Sequence, residues 1–495
     1  MRFFGSCVIS PPVALNYVAT YIKKNLPKHE VEVYNGDFTA EGVPTLSNSI
    51  FTSNHQEYVR RLTDANDPVW VEIGEVISGF KPEVVGVSSM TASFVSALNV
   101  CQIAKKINPA IVTVMGGKHP TALPDLTLKN KAVDFVVFGE GEETFRELLE
   151  NLEKPDEILS ASVISIASIK GLAHKDSNGD IRINPPRPYL KNIDALPFPI
   201  FESKLQKYNF ENTTNPEAYT WIILSARGCP FQCLYCASDR SVRFRSPENV
   251  AEEIRLVKEK YGITRFCFED DSFSLNKDRL LKLCSMLQAE KVKWICNTRV
   301  DLLDEPIVKS MKESGCLNVA IGIESGSEKT LGAIKKKITI EKVHDAVKLL
   351  RKNKILVTGY FMIGFPWETK REMRETVVLM DKMSLDLSCL SIVTPLPGTQ
   401  LFQSLVDAGK IVPATLDWKR FHQGSPFMNF SDYKDADWEK TILALVKRAF
   451  RSYRKKYFFA TIRKLFQEPF SVLTKIRVRL KQGPPMLFKL LFPSK

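Results

Sequence analysis

Arg227-Gly228-Cys229-Pro230-Phe231-Gln232-Cys233-Leu234-Tyr235-Cys236 follows directly on the apolar run Thr220–Ser225. An apolar run that ends in a glycine and a tight polar loop reads as a strand opening onto its C-terminal edge. The loop carries Cys229-x3-Cys233-x2-Cys236. Three thiolates this close can hold three irons of a [4Fe–4S] cube, where full protein ligation would need four. The fourth iron is then open to a substrate or cofactor. Zinc is the competing reading, because Cys-x2-Cys is half of many zinc sites. A zinc site would want a second pair at a distance, and the chain has no second Cys-x2-Cys or matching His pair.

Outward from this loop the chain alternates strand and helix. Strand candidates are Thr220–Ser225, Arg265–Glu269, Lys293–Asn297, Asn318–Ile323, Leu356–Met362 and Leu387–Thr394. Helices are expected near 247–261, 277–290, 304–314, 339–353 and 369–383. Six such units are too few for a closed eight-fold barrel and suit an open one, working at the C-terminal edge of its strands. A separate series precedes it, with strands at Arg2–Ile9, Val31–Tyr34, Val84–Ser88, Ile111–Met115 and Phe135–Phe138. Short apolar strands separated by helices imply a parallel sheet covered on both faces. A polar insertion over 40–68 breaks that rhythm. The expected division is a doubly wound, Rossmann-like domain over 1–152, a Pro/Asn/Asp-rich linker over 153–216, a partial barrel over 217–400 and a helical region over 401–495.

Of 495 residues, 44% are hydrophobic and 25% charged, which excludes a disordered chain or a fibre. No window approaches the roughly 18 apolar residues of a spanning helix. The start does not read as a signal peptide, so a cytoplasmic protein is expected. The other seven cysteines are scattered singly and read as small buried hydrophobes. Lys and Arg number 69 against 56 acids, a net charge of +13. Residues 447–495 hold 14 of those bases and one acid, Glu468, so the whole excess belongs to the tail. With Tyr453, Tyr457 and Phe458 interleaved, the tail suits a peripheral contact with an anionic membrane face. A solvated C-terminal helix is the plainer reading.

The three-cysteine loop, with Tyr235 just before its last thiol, resembles that of the radical SAM superfamily, whose fold is a partial, TIM-like (β/α)6 barrel. The resemblance implies that S-adenosylmethionine (SAM) binds the open iron and is cleaved to a 5′-deoxyadenosyl radical. It also implies cofactor contacts from Tyr235, from Glu269 and Asp270 at the second strand end, and from Arg299 at the third. Glu324, in Gly322-Ile323-Glu324-Ser325-Gly326, and Gly364, in Met362-Ile363-Gly364-Phe365-Pro366, complete the set.

Upstream, three turns end successive strands: Gly86-Val87-Ser88-Ser89-Met90-Thr91, Gly116-Gly117-Lys118-His119-Pro120-Thr121 and Gly139-Glu140-Gly141-Glu142-Glu143-Thr144. Ligands of doubly wound sheets sit beyond such strand ends. Pattern and order resemble the cobalamin-binding domain that precedes many radical SAM barrels. By that resemblance Ser88, Ser89, Thr91, Gly116, Gly117, His119, Gly139 and Gly141 are cobalamin contacts. The Asp-x-His-x-x-Gly motif that supplies a cobalt ligand in many such domains is absent, so cobalt without a histidine ligand is expected.

The resemblance implies a cobalamin-dependent radical SAM enzyme, most often a methyltransferase of an unactivated carbon in a small-molecule or lipid-like substrate. An oxidative cyclase or rearrangement enzyme is the alternative, and a non-catalytic cobalamin-binding regulator with a relic barrel is the alternative of another class. An electron donor such as flavodoxin or ferredoxin is an implied partner. Nucleic acid is not expected: tRNA methylthiotransferases carry three further cysteines upstream, where this chain has Cys7 and Cys101.

Overall fold

A computed structural model describes residues 11–36, 59–153, 166–205, 220–421, 428–449 and 451. The strand candidate Arg2–Ile9 and nearly all of the basic tail lie outside the described residues, and Val31–Tyr34, expected as a strand, is irregular. Two sheets organise the rest. The first has the order β1-β2-β3-β4-β5. Its members are β1 Val84–Ser88, β2 Val112–Gly116, β3 Phe135–Val137, β4 Leu172–Lys175 and β5 Ile181–Ile183. The first three are parallel, with Val114 paired to Gly86 and to Phe135. The last two add antiparallel and come from the stretch expected as linker. Helices Phe94–Ile107 and Gly141–Leu152 cover this sheet through Ala97, Cys101, Ala104 and Leu148, all buried.

The second sheet is six-stranded, parallel and open, in the order β13-β12-β11-β10-β9-β6. These are β6 Trp221–Ile223, β9 Arg265–Phe268, β10 Lys293–Thr298, β11 Cys316–Glu324, β12 Leu356–Ile363 and β13 Leu387–Ile392. Local chemistry explains the helices between them. Ser246 caps Pro247–Tyr261 through the Asn249 N–H, and Gly262 ends it in the left-handed conformation. Asn276, Asp304, Thr339 and Thr399 cap their own helices in the same way. Thr369 and Glu372 form a capping box. The apolar faces meet in one core that includes Trp221, Phe266, Phe268, Trp294, Ile321 and Phe361. Phe402, Phe421, Trp438 and Ile442, from beyond residue 400, belong to that same core. Among the described residues no helix is long and apolar enough to cross a membrane.

Because parallel strands all end on one side, the β6, β9, β10, β11 and β12 ends form a single working edge. A short antiparallel hairpin, β7 Ala226–Arg227 with β8 Arg243–Phe244, leaves that edge at β6 and carries the three-cysteine loop at its tip.

Candidate functional site

The cysteine loop is tied down along its length. Gly228 has φ +89°, and a Cβ there would lie 2.3 Å from the Ser241 carbonyl oxygen, so only glycine fits the turn. The Cys229 N–H donates to Asp239 O at 2.7 Å, and Leu234 N–H to Ile334 O at 3.0 Å. Arg240 Nη2 donates to the Cys236 carbonyl at 3.1 Å. None of the three thiols is in a disulfide, and Cys229 and Cys233 are buried. Burial pushes the Cys229 thiol up, and the other two thiols add to the rise. Cys236 Sγ contacts Ser238 Oγ at 3.2 Å. Among the described residues no three Cys, His, Asp or Glu are gathered into a metal-holding group; what the structure holds in place is the loop backbone that carries the thiols.

The residues expected around SAM divide into two groups. Tyr235 and Glu269 line a cleft beside Cys236, with Asp271. Glu269 is exposed, and its Oε2 accepts from Asn297 Nδ2 at 3.3 Å. Asp270, next in the chain, points the other way. Its Oδ1 accepts the Ser225 and Ala226 N–H groups at 2.6 and 3.0 Å, and Ser225 Oγ donates to its Oδ2. Burial pushes its carboxyl up. Asp270 is therefore a clamp on the β6 end and not a free ligand for an ammonium group.

Arg299 is likewise spent within the protein. Its guanidinium donates to Asp301 twice at 2.9 Å and to Lys336 O at 2.8 Å, and lies 3.7 Å over the Phe231 ring. Its Nη1 stands 3.9 Å from Cys233 Sγ, so it braces the loop where a contact to SAM was expected. The Gly364 N–H donates to Glu368 Oε2 at 2.6 Å, and Trp438 fills the space a side chain there would need. That segment is capped and packed, and its N–H does not face the cleft.

Glu324 sits at a bulge between β11 and β12, with φ +68°. Left-handed backbone at a non-glycine residue costs on the order of 1–3 kcal/mol and persists only where neighbours enforce it. Here the enforcing partner is Lys336, whose Nζ donates to Glu324 Oε1 at 2.8 Å with both side chains buried. A Cβ on Gly322 would fall 2.3 Å from that carboxylate oxygen and 2.7 Å from Nζ. Lys336 Nζ also reaches the Tyr235 hydroxyl at 3.5 Å. Burial, then the Glu324 charge, pushes the Tyr235 phenol well above its usual range. Lys336 was invisible in the sequence, since Lys335-Lys336-Lys337 reads as a solvated basic run.

Across the cleft stand the turns of the first sheet. Ser88, Thr91, Gly116, Gly117, Gly139 and Gly141 line it together with Tyr235, Cys236 and Glu269. Met90 is 57% exposed there. Ser89 is buried and holds the β1 and β2 ends together, its N–H donating to Gly116 O at 2.8 Å. His119 departs from expectation. It is fully buried, stacked on Phe94 at 3.9 Å and edge-on to Trp418 at 4.7 Å, with Nδ1 3.2 Å from Thr91 Oγ1. Burial pushes its imidazole down to about 4. It is a neutral core residue.

Two family models match the chain: a B12 binding domain over residues 8–149 and the radical SAM superfamily over residues 223–380. An uncharacterized methyltransferase of Pyrococcus horikoshii is 32% identical over 451 residues, which cover 90% of this chain and 87% of the relative. The chain belongs to the radical SAM superfamily, among its B12-binding members. An anaerobic magnesium-protoporphyrin IX monomethyl ester cyclase of Rubrivivax gelatinosus is 26% identical over 80% of this chain and 75% of its own. The radical SAM methyltransferase TsrM from Kitasatospora setae, solved with tryptophan and a SAM analogue, shares the fold. Its TM-score is 0.63 at 18% identity, over 82% of this chain and 74% of that one.

The cofactors of this radical SAM enzyme are accordingly a [4Fe–4S] cluster, SAM and cobalamin. The residues present fit them. Three unpaired thiols on one braced loop match a cluster with one open iron. A cleft walled by glycine turns on one side and by Tyr235, Cys236 and Glu269 on the other has space before Gly139, where nothing lies within 4 Å of a notional Cβ.

Proposed function

We propose that the protein is a cobalamin-dependent radical SAM methyltransferase acting on an unactivated carbon of a small-molecule or lipid-like substrate. One observation carries the reading: the three-cysteine loop and the glycine turns of the first sheet open on the same cleft. When bound, the cluster supplies the electron that cleaves SAM, and cobalamin supplies the methyl carrier. The chain's own residues do the rest. Cys229, Cys233 and Cys236 hold the iron. Glu269, exposed on the cleft wall, accepts hydrogen bonds from the SAM ammonium, a charge-assisted contact. Tyr235 walls the site, with the Glu324–Lys336 pair beneath it. Ser88, Thr91, Gly116, Gly117, Gly139 and Gly141 face cobalamin. A flavodoxin or ferredoxin delivers the electron.

The test is anaerobic reconstitution followed by incubation with SAM carrying a deuterated methyl group and with extracts of small molecules and lipids. Label in a recovered product, with 5′-deoxyadenosine formed alongside, supports methyl transfer. Absence of 5′-deoxyadenosine from cluster-loaded protein overturns the reading. The cyclase relative favours a second reading, an oxidative cyclase, for which 5′-deoxyadenosine forms and no methyl label moves.

A further inference from the structure

The turn Gly139-Glu140-Gly141-Glu142 on the cobalamin side is tied by charge to the hairpin that carries the cysteine loop. Arg227 Nη1 donates to Glu140 Oε1 at 2.7 Å, and its Nη2 to Glu142 Oε1 at 2.6 Å. Arg243, paired with Arg227 across the hairpin, donates to that same Glu140 oxygen at 2.7 Å. The second Glu140 oxygen accepts the Leu190 N–H at 3.0 Å. The Tyr189 ring covers the Arg243 guanidinium at 4.5 Å, and its hydroxyl donates to Asp239 at 2.6 Å. Asp239 in turn accepts the Cys229 N–H. An unbroken chain of contacts therefore runs from the third glycine turn to the first cluster cysteine.

These are not the solvated surface pairs whose contribution is small. The four side chains are between 8% and 20% exposed. Burial alone would raise the Glu140 carboxyl, yet Arg227, the Leu190 N–H and Arg243 together bring it below its usual range. Two Arg243 donors, Nε and Nη2, have no hydrogen-bond partner among the described residues. Glu140 and the Tyr189 ring thus hold a guanidinium that would be better solvated outside. A buried charge network of this kind is weak evidence for stability and better evidence for a fixed geometry.

Two cofactors that act on one substrate must keep one spacing, and a misplacement of about 1 Å can cost on the order of 100-fold in rate. We propose that Arg227, Arg243, Glu140 and Glu142 are positioning residues, a buried ionic latch that sets the separation of the cluster loop from the cobalamin-side turn. The proposal rests on the reading of both cofactor sites above.

The experiment has two arms on the full chain. In the first, hydrogen–deuterium exchange is followed on cofactor-free protein. Arg227→Gln and, separately, Glu140→Gln should speed exchange over residues 139–143 and 189–191 by on the order of 10-fold. Arg182→Gln, which breaks the exposed pair with Asp176 on the same sheet, should leave those segments unchanged. In the second, pulsed EPR measures the distance between cob(II)alamin and the one-electron-reduced cluster in loaded enzyme. The parent should give one narrow distribution and the latch variants a broad one. Unchanged exchange in both Gln variants overturns the latch, as does a narrow, unshifted distance in variants that load both cofactors. If the parent loads no cobalamin or no iron, the reading of the sites fails, while the first arm still decides the latch.

Discussion

The two walls of the cleft are built on opposite plans. The cluster wall is closed by the protein itself: Asp270 clamps the β6 end, Arg299 is stacked on Phe231, and the loop backbone is bonded to Ile334 and Asp239. Leu401 N–H donates to Leu234 O at 2.9 Å, so even the segment beyond β13 grips it. The facing wall is left open, with Ser88 and Met90 exposed and empty space before Gly139. A small inorganic cluster needs the loop that carries its ligands held beforehand, whereas a large ligand brings its own surface and completes the wall on binding.

The largest expected effect comes from Cys229→Ala, Cys233→Ala and Cys236→Ala together. Iron should fall from about four per reconstituted chain to none, in keeping with a three-thiolate cube. Formation of 5′-deoxyadenosine should fall to background. Cobalamin bound per chain, read from its visible absorbance, should stay near the parent value. Loss of cobalamin as well would mean that the two walls are not separately built.

Next is Lys336→Met. It leaves Glu324 charged and buried without its cation, and removing one partner of such a pair typically costs about 3–5 kcal/mol. A shift in the urea midpoint measures this, and adding Glu324→Gln should recover part of it. A midpoint equal to the parent's would show that the Glu324 bulge is not held by this pair.

A smaller effect is a pH dependence at the β12 end. Burial pushes Glu368 up to about 7, against the opposing pull of the Phe365 and Gly364 N–H groups. The folded carboxyl then keeps its proton where the unfolded one, near 4.5, has lost it. Unfolding releases that proton, so stability should fall as pH rises from about 4.5 to 7, by up to about 3 kcal/mol. Glu368→Gln should flatten this part of the profile, read by chemical unfolding at pH 5.5 and 7.5. An unchanged slope would remove Glu368 from the account.

The smallest expected effect lies in the core behind the open wall. His119→Ala should lower stability by about 2 kcal/mol, as a core truncation does. The EPR spectrum of bound cob(II)alamin should stay unchanged and free of axial nitrogen splitting. A nitrogen signal that disappears in the variant would place His119 on cobalt, against its burial between Phe94 and Trp418.

Much of the fold was legible. The six apolar runs of the second series match the six strands of the open sheet, because fully buried parallel strands are short, apolar and bounded by turns. Thr369 with Glu372, and Ser246 with Gly262, mark helix boundaries by local chemistry alone. The hairpin of Ala226–Arg227 with Arg243–Phe244 was not legible, since two-residue strands carry no periodicity. The site was read less evenly. Tyr235, Glu269 and six of the expected cobalamin contacts line the cleft, while Asp270, Arg299, Gly364, Ser89 and His119 serve packing or internal bonds.

The number of thiols on the loop, their place at a strand end and the six-strand second series were written in the sequence. Ligand count, spacing and apolar period are local properties, written in consecutive residues. Packing selected which of two adjacent carboxylates, Glu269 or Asp270, meets the cleft. It also decided which of three consecutive lysines is buried, and that Glu140 meets Arg227. Neighbouring side chains at a strand end point to opposite sides, so a single backbone register sends one carboxylate to solvent and the other inside. Charges so far apart in sequence find each other only once two sheets have packed, and no local pattern encodes that meeting.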